Sequence, residues 1–277
     1  FVTDIKNAIA NYGWSMIILI LFGLISYILV GLISTIATYS WQDILNGVGV
    51  EWVHTDVYGR LTTMLIAFTI LSFTAPTKCY GGLTDKNTGS NFILLPASRL
   101  EKFISMILMC CIVLPVVFAI GYLIVDYLIC LVCPEAGKGI IAGISNAVNE
   151  ILAEEEIPIE IIDRINLTSA IDDTWMIFLF FLLGALVFKK SKAIKTFLVG
   201  YGIIILISIV GIIVIVAHSA DIDTFFDTFA IGKTDEELGM ALLGYMDKMM
   251  LFDTIFDITI NALLLTGIWF KLKTLKH

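Results

Sequence analysis

The chain has 277 residues, of which 58% are hydrophobic and only 15% charged, and it carries a formal net charge of −8. That is more apolar surface than a soluble core of this size can bury, which excludes an ordinary water-soluble domain. A bilayer core is roughly 30 Å thick and an α-helix rises about 1.5 Å per residue, so each span needs about 20 mostly apolar residues.

Six stretches meet that condition, over about residues 14–38, 61–77, 103–133, 175–188, 196–217 and 251–272. The second is closed by Arg60 and Lys78. The third is too long to stand straight along the membrane normal, so it is expected to tilt, to kink near Pro115 or to project beyond the bilayer. The fourth is the shortest and becomes a span only if Asp173 and Lys189 sit in the headgroup layers. None of these runs alternates in polarity, as barrel strands would, and backbone groups facing lipid must be satisfied within their own helix. The predicted fold class is therefore all-α: a single polytopic domain of six transmembrane helices.

Basic residues near spans are retained in the cytoplasm, so their positions set the orientation. Lys6 precedes the first span; Lys78, Lys86, Arg99 and Lys102 lie between the second and third; Lys189, Lys190, Lys192 and Lys195 join the fourth and fifth; Lys271, Lys273 and Lys276 end the sequence. Both termini and a loop over 78–102 are thus expected inside, and segments 39–60, 134–174 and 218–250 outside. The expected location is a membrane that the chain crosses several times. Span one is too long and too poorly flanked for a cleaved leader, and the sequence opens on Phe1 rather than Met.

The outer segments collect the acids, among them Glu154, Glu155, Glu156, Asp221, Asp223 and Asp227. Such runs keep a segment soluble or attract cations and cationic peptides. Ile140, Ile141, Ile144, Val148, Ile151 and Leu152 recur at helical steps before Pro158, as do Leu238, Leu242, Tyr245, Met246 and Met249 before span six. Each set predicts a short amphipathic helix lying on the membrane or capping the bundle.

Catalytic chemistry is hard to find. Gly232-Lys233-Thr234 has the end of a phosphate-binding loop, but Asp227 stands where its first glycine belongs. Gly143-Ile144-Ser145 lacks the strand-to-helix turn that sharpens a nucleophilic serine. His54, His218 and His277 are scattered. Cys130 and Cys133 form a CxxC on one helix near the outer face, with no second CxxC or histidine pair to complete a zinc site, so the expected state is two packed thiols. No enzyme activity, bound cofactor, metal or nucleic-acid partner is expected of this chain. Ionisable groups within spans are costly and point to function or to interhelical bonding. Asp126 in span three and the stripe Asp253, Asp257 and Asn261 in span six are candidates for lining a path.

The loop over 78–102 is the most informative stretch. Pro96 suits a first helical turn and Glu101 stands three residues after Ser98, a capping-box spacing, so a helix begins there and feeds span three. Phe92, Ile93, Leu94 and Leu95 form an apolar patch just before it, which wants a membrane or a protein to cover it.

The stretch Leu95-Pro96-Ala97-Ser98-Arg99-Leu100-Glu101-Lys102 resembles the entry to the third span in permease subunits of ABC-2-type transporters, in the variant found in Bacteroidetes-type members. Residues 1–13 are a thin version of the amphipathic helix that precedes span one in several members, while the long outer segments are less usual there. The resemblance implies six spans with both ends inside and a coupling helix that docks on a separate ATPase, which binds ATP and magnesium. It assigns coupling to Phe92, Leu94, Leu95, Pro96, Ser98, Arg99, Glu101 and Lys102. It also implies a second permease copy or a paired permease, and outward export. Two other classes stay open: a proton-coupled secondary carrier using the span acids, and a non-transporting assembly or immunity protein.

Overall fold

The computed structural model describes residues 2–39, 46, 51–84, 98–153, 167–217 and 235–274, and among these there is no strand. Eight α-helices follow one another: α1 (Val2–Thr38), α2 (Val57–Tyr80), α3 (Arg99–Leu108), α4 (Leu114–Val132), α5 (Ile140–Ala153), α6 (Leu167–Val187), α7 (Lys192–Ala217) and α8 (Asp235–Thr274). Five described stretches are long and apolar enough to cross a membrane: Ile5–Thr38, Val57–Thr84, Arg99–Val132, Lys192–Ile213 and Lys248–Thr274. A shorter apolar helix covers Thr174–Val187.

Helix α1 starts well before the predicted span, because nothing between Lys6 and Trp14 breaks it and its early turns already have a buried face. Ala8, Tyr12, Met16 and Leu19 follow one another at three- and four-residue steps and are all buried. Gly13 costs such a helix only about 1 kcal/mol relative to alanine. Trp14, Ile18, Ile25, Leu29 and Ile33 cover the opposite side and are exposed. Helix α2 packs against α1, α4, α6 and α7. It buries Ala67, Leu71, Ser72 and Ala75, mostly small residues that let backbones approach closely. Asp56 caps its N-terminus by accepting from Gly59 N–H at 2.9 Å.

The expectation of an irregular third span is met at Pro115. A π-helical turn, Met109–Val113, separates α3 from α4, and Leu114 N–H bonds back to the Met109 carbonyl. A proline in an α-helix removes one bond and crowds the carbonyl four residues earlier. The wider turn just ahead of Pro115 accommodates both effects and keeps the rod continuous.

The shortest predicted span becomes the middle of the bundle. Helix α6 packs against α2, α7, α8 and the π turn, and no residue over 178–186 is exposed. An apolar run shorter than the bilayer suffices when protein rather than lipid surrounds it. Gly184 faces Thr196 of α7 so closely that a Cβ there would overlap the threonine side chain. Helix α7, by contrast, exposes Leu198, Ile204, Leu206, Ile207 and Ile212 among others.

The two helices expected in the segments at 134–174 and 218–250 fare differently. The helix expected near 140 exists as α5 and sits against α2, with Gly143 directly on Val57. The helix expected before span six is not separate: α8 runs unbroken for 40 residues. Its length of about 60 Å is twice the bilayer core, so it projects well beyond it. Gly239 and Gly244 each cost the helix only about 1 kcal/mol relative to alanine, and no proline interrupts the sequence between Leu238 and Leu251, which accords with the continuity.

Many large apolar side chains face outward along the long helices, while Arg60, Asp126 and Asp257 are buried, the pattern of a chain solvated by lipid. The α6–α7 contact yields a test. Gly184→Leu overpacks that interface and is expected to lower stability in detergent by about 1–3 kcal/mol. Thermal unfolding followed by circular dichroism checks it against Gly202→Leu, where a Cβ meets open space and the midpoint is expected not to fall.

Candidate functional site

The densest polar cluster lies where α2 begins and α4 ends. Arg60 stands in the first turn of α2, a position that points it across to α4. Its Nη1 donates to Asp126 Oδ1 at 2.9 Å and to Cys130 Sγ at 2.8 Å. Its Nη2 donates to the carbonyls of Ala136 at 3.1 Å and Lys138 at 2.6 Å. Nε alone of the guanidinium nitrogens has no acceptor among the described residues. The side chains of Arg60 and Asp126 are only 3% and 5% exposed.

Asp126 uses its second oxygen as well. Oδ2 accepts Ile140 N–H at 2.7 Å, the first amide of α5, so the carboxylate also caps that helix where its dipole favours negative charge. One ion pair thus joins α2, α4, the turn Pro134–Ala136 and α5.

A second chain of contacts lies beside it. Tyr27 Oη is 2.6 Å from His54 Nδ1, and His54 Nε2 is 2.9 Å from Glu135 Oε2. Tyr122 Oη meets Thr63 Oγ1 at 2.8 Å, linking α4 to α2 again. Val53 N–H donates to Thr35 Oγ1 at 3.0 Å, holding the strand of chain before α2 against α1. Among the described residues no group of three or more His, Cys, Asp or Glu could hold a metal ion.

Asp126 is therefore committed to an ion pair and a helix cap. The remaining stripe lies apart from it. On α8, Asp253 is exposed, Asp257 is buried, and Asn261 is half-buried. Asn261 Oδ1 is buried with no hydrogen-bond partner among the described residues. Helix α8 packs against α6 and α3, whereas Asp126 bonds to Arg60 of α2 and Ile140 of α5.

At the other end of the bundle, Ser98 and Glu101 form the expected capping box. Ser98 Oγ accepts Glu101 N–H at 3.2 Å and Glu101 Oε2 accepts Ser98 N–H at 2.8 Å. Both residues, with Arg99, are exposed, and Lys102 is half-buried. Phe103, in the next turn, meets Trp269 of α8 edge-on with ring centroids 5.4 Å apart. Lys78 donates to Ser15 Oγ at 2.7 Å, and Lys192 donates to the Gly81 carbonyl, so both lysines also tie helix ends together. Phe92, Leu94, Leu95 and Pro96 lie outside the described residues, as do Gly232-Lys233-Thr234 and the acids at 154–156, 221, 223 and 227.

Arg60 and His54 were not among the residues singled out from sequence, where Arg60 marked the edge of a span. The available signal was a lone arginine at one span's edge facing a lone aspartate inside another. No family model, characterised protein or solved structure matches the chain.

Removing one partner of a buried pair leaves the other charge uncompensated. Arg60→Met is expected to cost about 3–5 kcal/mol, and Arg60→Met with Asp126→Leu distinctly less than that single change. Thermal denaturation of the three proteins in the same detergent measures both. Equal losses for the single and double variants would show that Arg60 acts through the 136 and 138 carbonyls instead.

Proposed function

We propose that this chain is the membrane-spanning permease subunit of an ABC-type exporter, crossing the bilayer six times with both ends inside and coupled to a separate ATPase. The six spans are α1, α2, α3 with α4, α6, α7 and α8. Counting α6 as a span relies on its place among the other five, where its short apolar run meets helices rather than lipid. The domain acts in the inner membrane, beside a second permease copy or a paired permease.

The observation that carries this reading is the capped start of α3. The capping box sets where the rod begins, and the rod then continues through the π turn into α4 without an intervening loop. Force applied to the segment before Ser98 therefore acts on the end of one long element. Phe103 passes it to α8 through Trp269. ATP closure in the partner would push the apolar patch at 92–95, rock this rod against α8 and open a path outward. This chain does no chemistry in that cycle; it couples and it forms walls.

A proton-coupled carrier is the second reading, favoured by the burial of Asp257 within a span and by the unpartnered Asn261 oxygen one turn further on. Asp257→Asn separates the two: it abolishes proton-driven uptake in a carrier and leaves recovery of an ATPase intact in a permease.

Purification of the tagged chain from its host in mild detergent, with co-purifying proteins identified by mass spectrometry, tests the leading reading. A Walker-motif ATPase is expected with the parent and is expected to be lost with Leu95→Asp combined with Arg99→Asp. Neither exchange touches the capping box, so circular dichroism should match the parent. Absence of an ATPase from both preparations sinks the permease assignment.

A further inference from the structure

The cysteines at the end of α4 are more than packing. Cys130 and Cys133 stand three residues apart, both half-buried, and neither is in a disulfide. Three-residue spacing on a helix puts side chains on one face at neighbouring positions. Cys133 is the C-cap residue, with φ −121° and ψ 82°, so it has already left helical geometry and its Cα–Cβ bond can turn without unwinding α4. It packs against the small cluster of Tyr27, Ile129 and Ala136. Cys130 Sγ accepts a hydrogen bond from Arg60 Nη1 at 2.8 Å. A guanidinium in that position meets the negative charge that builds on a sulfur as it attacks or leaves in thiol–disulfide exchange.

We infer that Cys130 and Cys133 form a redox-active dithiol that closes to an intrachain disulfide when offered the disulfide of a small thiol or of a dithiol oxidoreductase. Cys133, at the loose end of the helix, gives up its proton to solvent and attacks one sulfur of the oxidant. That breaks the oxidant's S–S bond, forms a mixed disulfide and releases one thiol. Cys130 then loses its proton and attacks Cys133 Sγ. The Cys130–Cys133 bond forms, the second oxidant thiol leaves and takes up a proton, and Arg60 faces the charge on Cys130 throughout. Two thiols are oxidised to one disulfide, and one oxidant disulfide is reduced to two thiols.

The other three cysteines lack this setting. Cys110 and Cys111 are buried in the π turn, and Cys79 stands near the end of α2. Closure would also alter what Arg60 bonds to, because Cys130 shares Nη1 with Asp126. The redox state of the pair therefore bears directly on the ion pair that joins α2, α4 and α5. The outward orientation in the proposed function places the pair on the side where disulfides persist. The chemistry itself depends on neither that orientation nor the permease reading, since it is measured on the purified chain.

The full-length protein, reduced and then equilibrated in detergent with a series of glutathione to glutathione-disulfide ratios, is quenched in acid and alkylated after unfolding. Peptide mass spectrometry is expected to show the peptide carrying Cys130 and Cys133 losing two hydrogens and both alkyl groups together, at one midpoint ratio. Cys79, Cys110 and Cys111 should stay fully alkylated over that range. In Cys133→Ser, Cys130 should remain alkylable or carry a glutathione adduct, with no two-hydrogen loss. Full alkylation of both cysteines at every ratio, or glutathione adducts alone in the parent protein, would overturn the inference.

Discussion

An arginine side chain inside a helix bundle in lipid persists only if its charge and its donors are met within the protein, and Arg60 is where this chain solves that problem. Four of its contacts come from α4 or the turn that follows it, while Arg60 itself belongs to α2. The residues concerned are 66 to 78 positions apart along the chain. Nothing local brings them together, so the position of α2 against α4 and the shape of the turn at 134–139 are set jointly. Asp126 extends the constraint to α5 through the Ile140 amide. Buried pairs of this kind contribute little net stability compared with an apolar substitute, but they tolerate few alternative arrangements. Their effect here is to hold one end of the bundle in a single register.

The rest of the bundle follows a different rule, in which shape rather than charge decides. Small residues on α2 and Gly184 on α6 permit close helix approach, and Phe68 of α2 sits between Phe118 of α4 and Phe178 of α6, with ring centroids 6.0 Å from each. Lipid tails are as apolar as leucine, so no hydrophobic gradient drives α6 inward; close packing does. This fits the enclosure of the shortest candidate span, while α7, apolar from Phe197 onward, remains at the edge. A helix that is apolar all round is compatible with lipid, whereas a short one with charges close behind both ends is better surrounded by helices.

The helices themselves were legible in the sequence, because each long apolar run exceeded what a soluble core could use. So were the irregularity at Pro115 and the capping box at Ser98 and Glu101, both of which depend on residues a few positions apart. What could not be read were the relations between distant residues. Arg60 looked like the edge of a span, and Asp126 fitted either a path or interhelical bonding, since neither carries any local mark of its partner. The continuity of α8 was not legible either: the amphipathic pattern changes before Leu251, yet the helix runs on through Gly239, Gly244 and Asp247, since an isolated glycine costs a helix only about 1 kcal/mol. For the candidate site, Ser98, Arg99, Glu101 and Lys102 fall where a helix start was expected. Within the stripe of α8, Asp257 is buried, and Asn261 Oδ1 has no hydrogen-bond partner among the described residues.

The two ends of the molecule are held by different sets of contacts, and the difference bears on how it could move. At one end, α2, α4 and α5 are fastened by charge-assisted bonds to a buried guanidinium. At the other, Phe103 of α3 meets Trp269 of α8 edge-on, and Lys78 and Lys192 hold α2 to α1 and α7 by single hydrogen bonds. Between them lies the π turn, a segment where the hydrogen-bond ladder already departs from α geometry and where the rod can change direction with least loss of bonding. A displacement imposed at Ser98 would be resisted at Asp126 and absorbed between them. On α8, Asn261 and Asp257 lie roughly 12 and 18 Å along the helix from Trp269, away from the contact that α8 makes with the start of the rod.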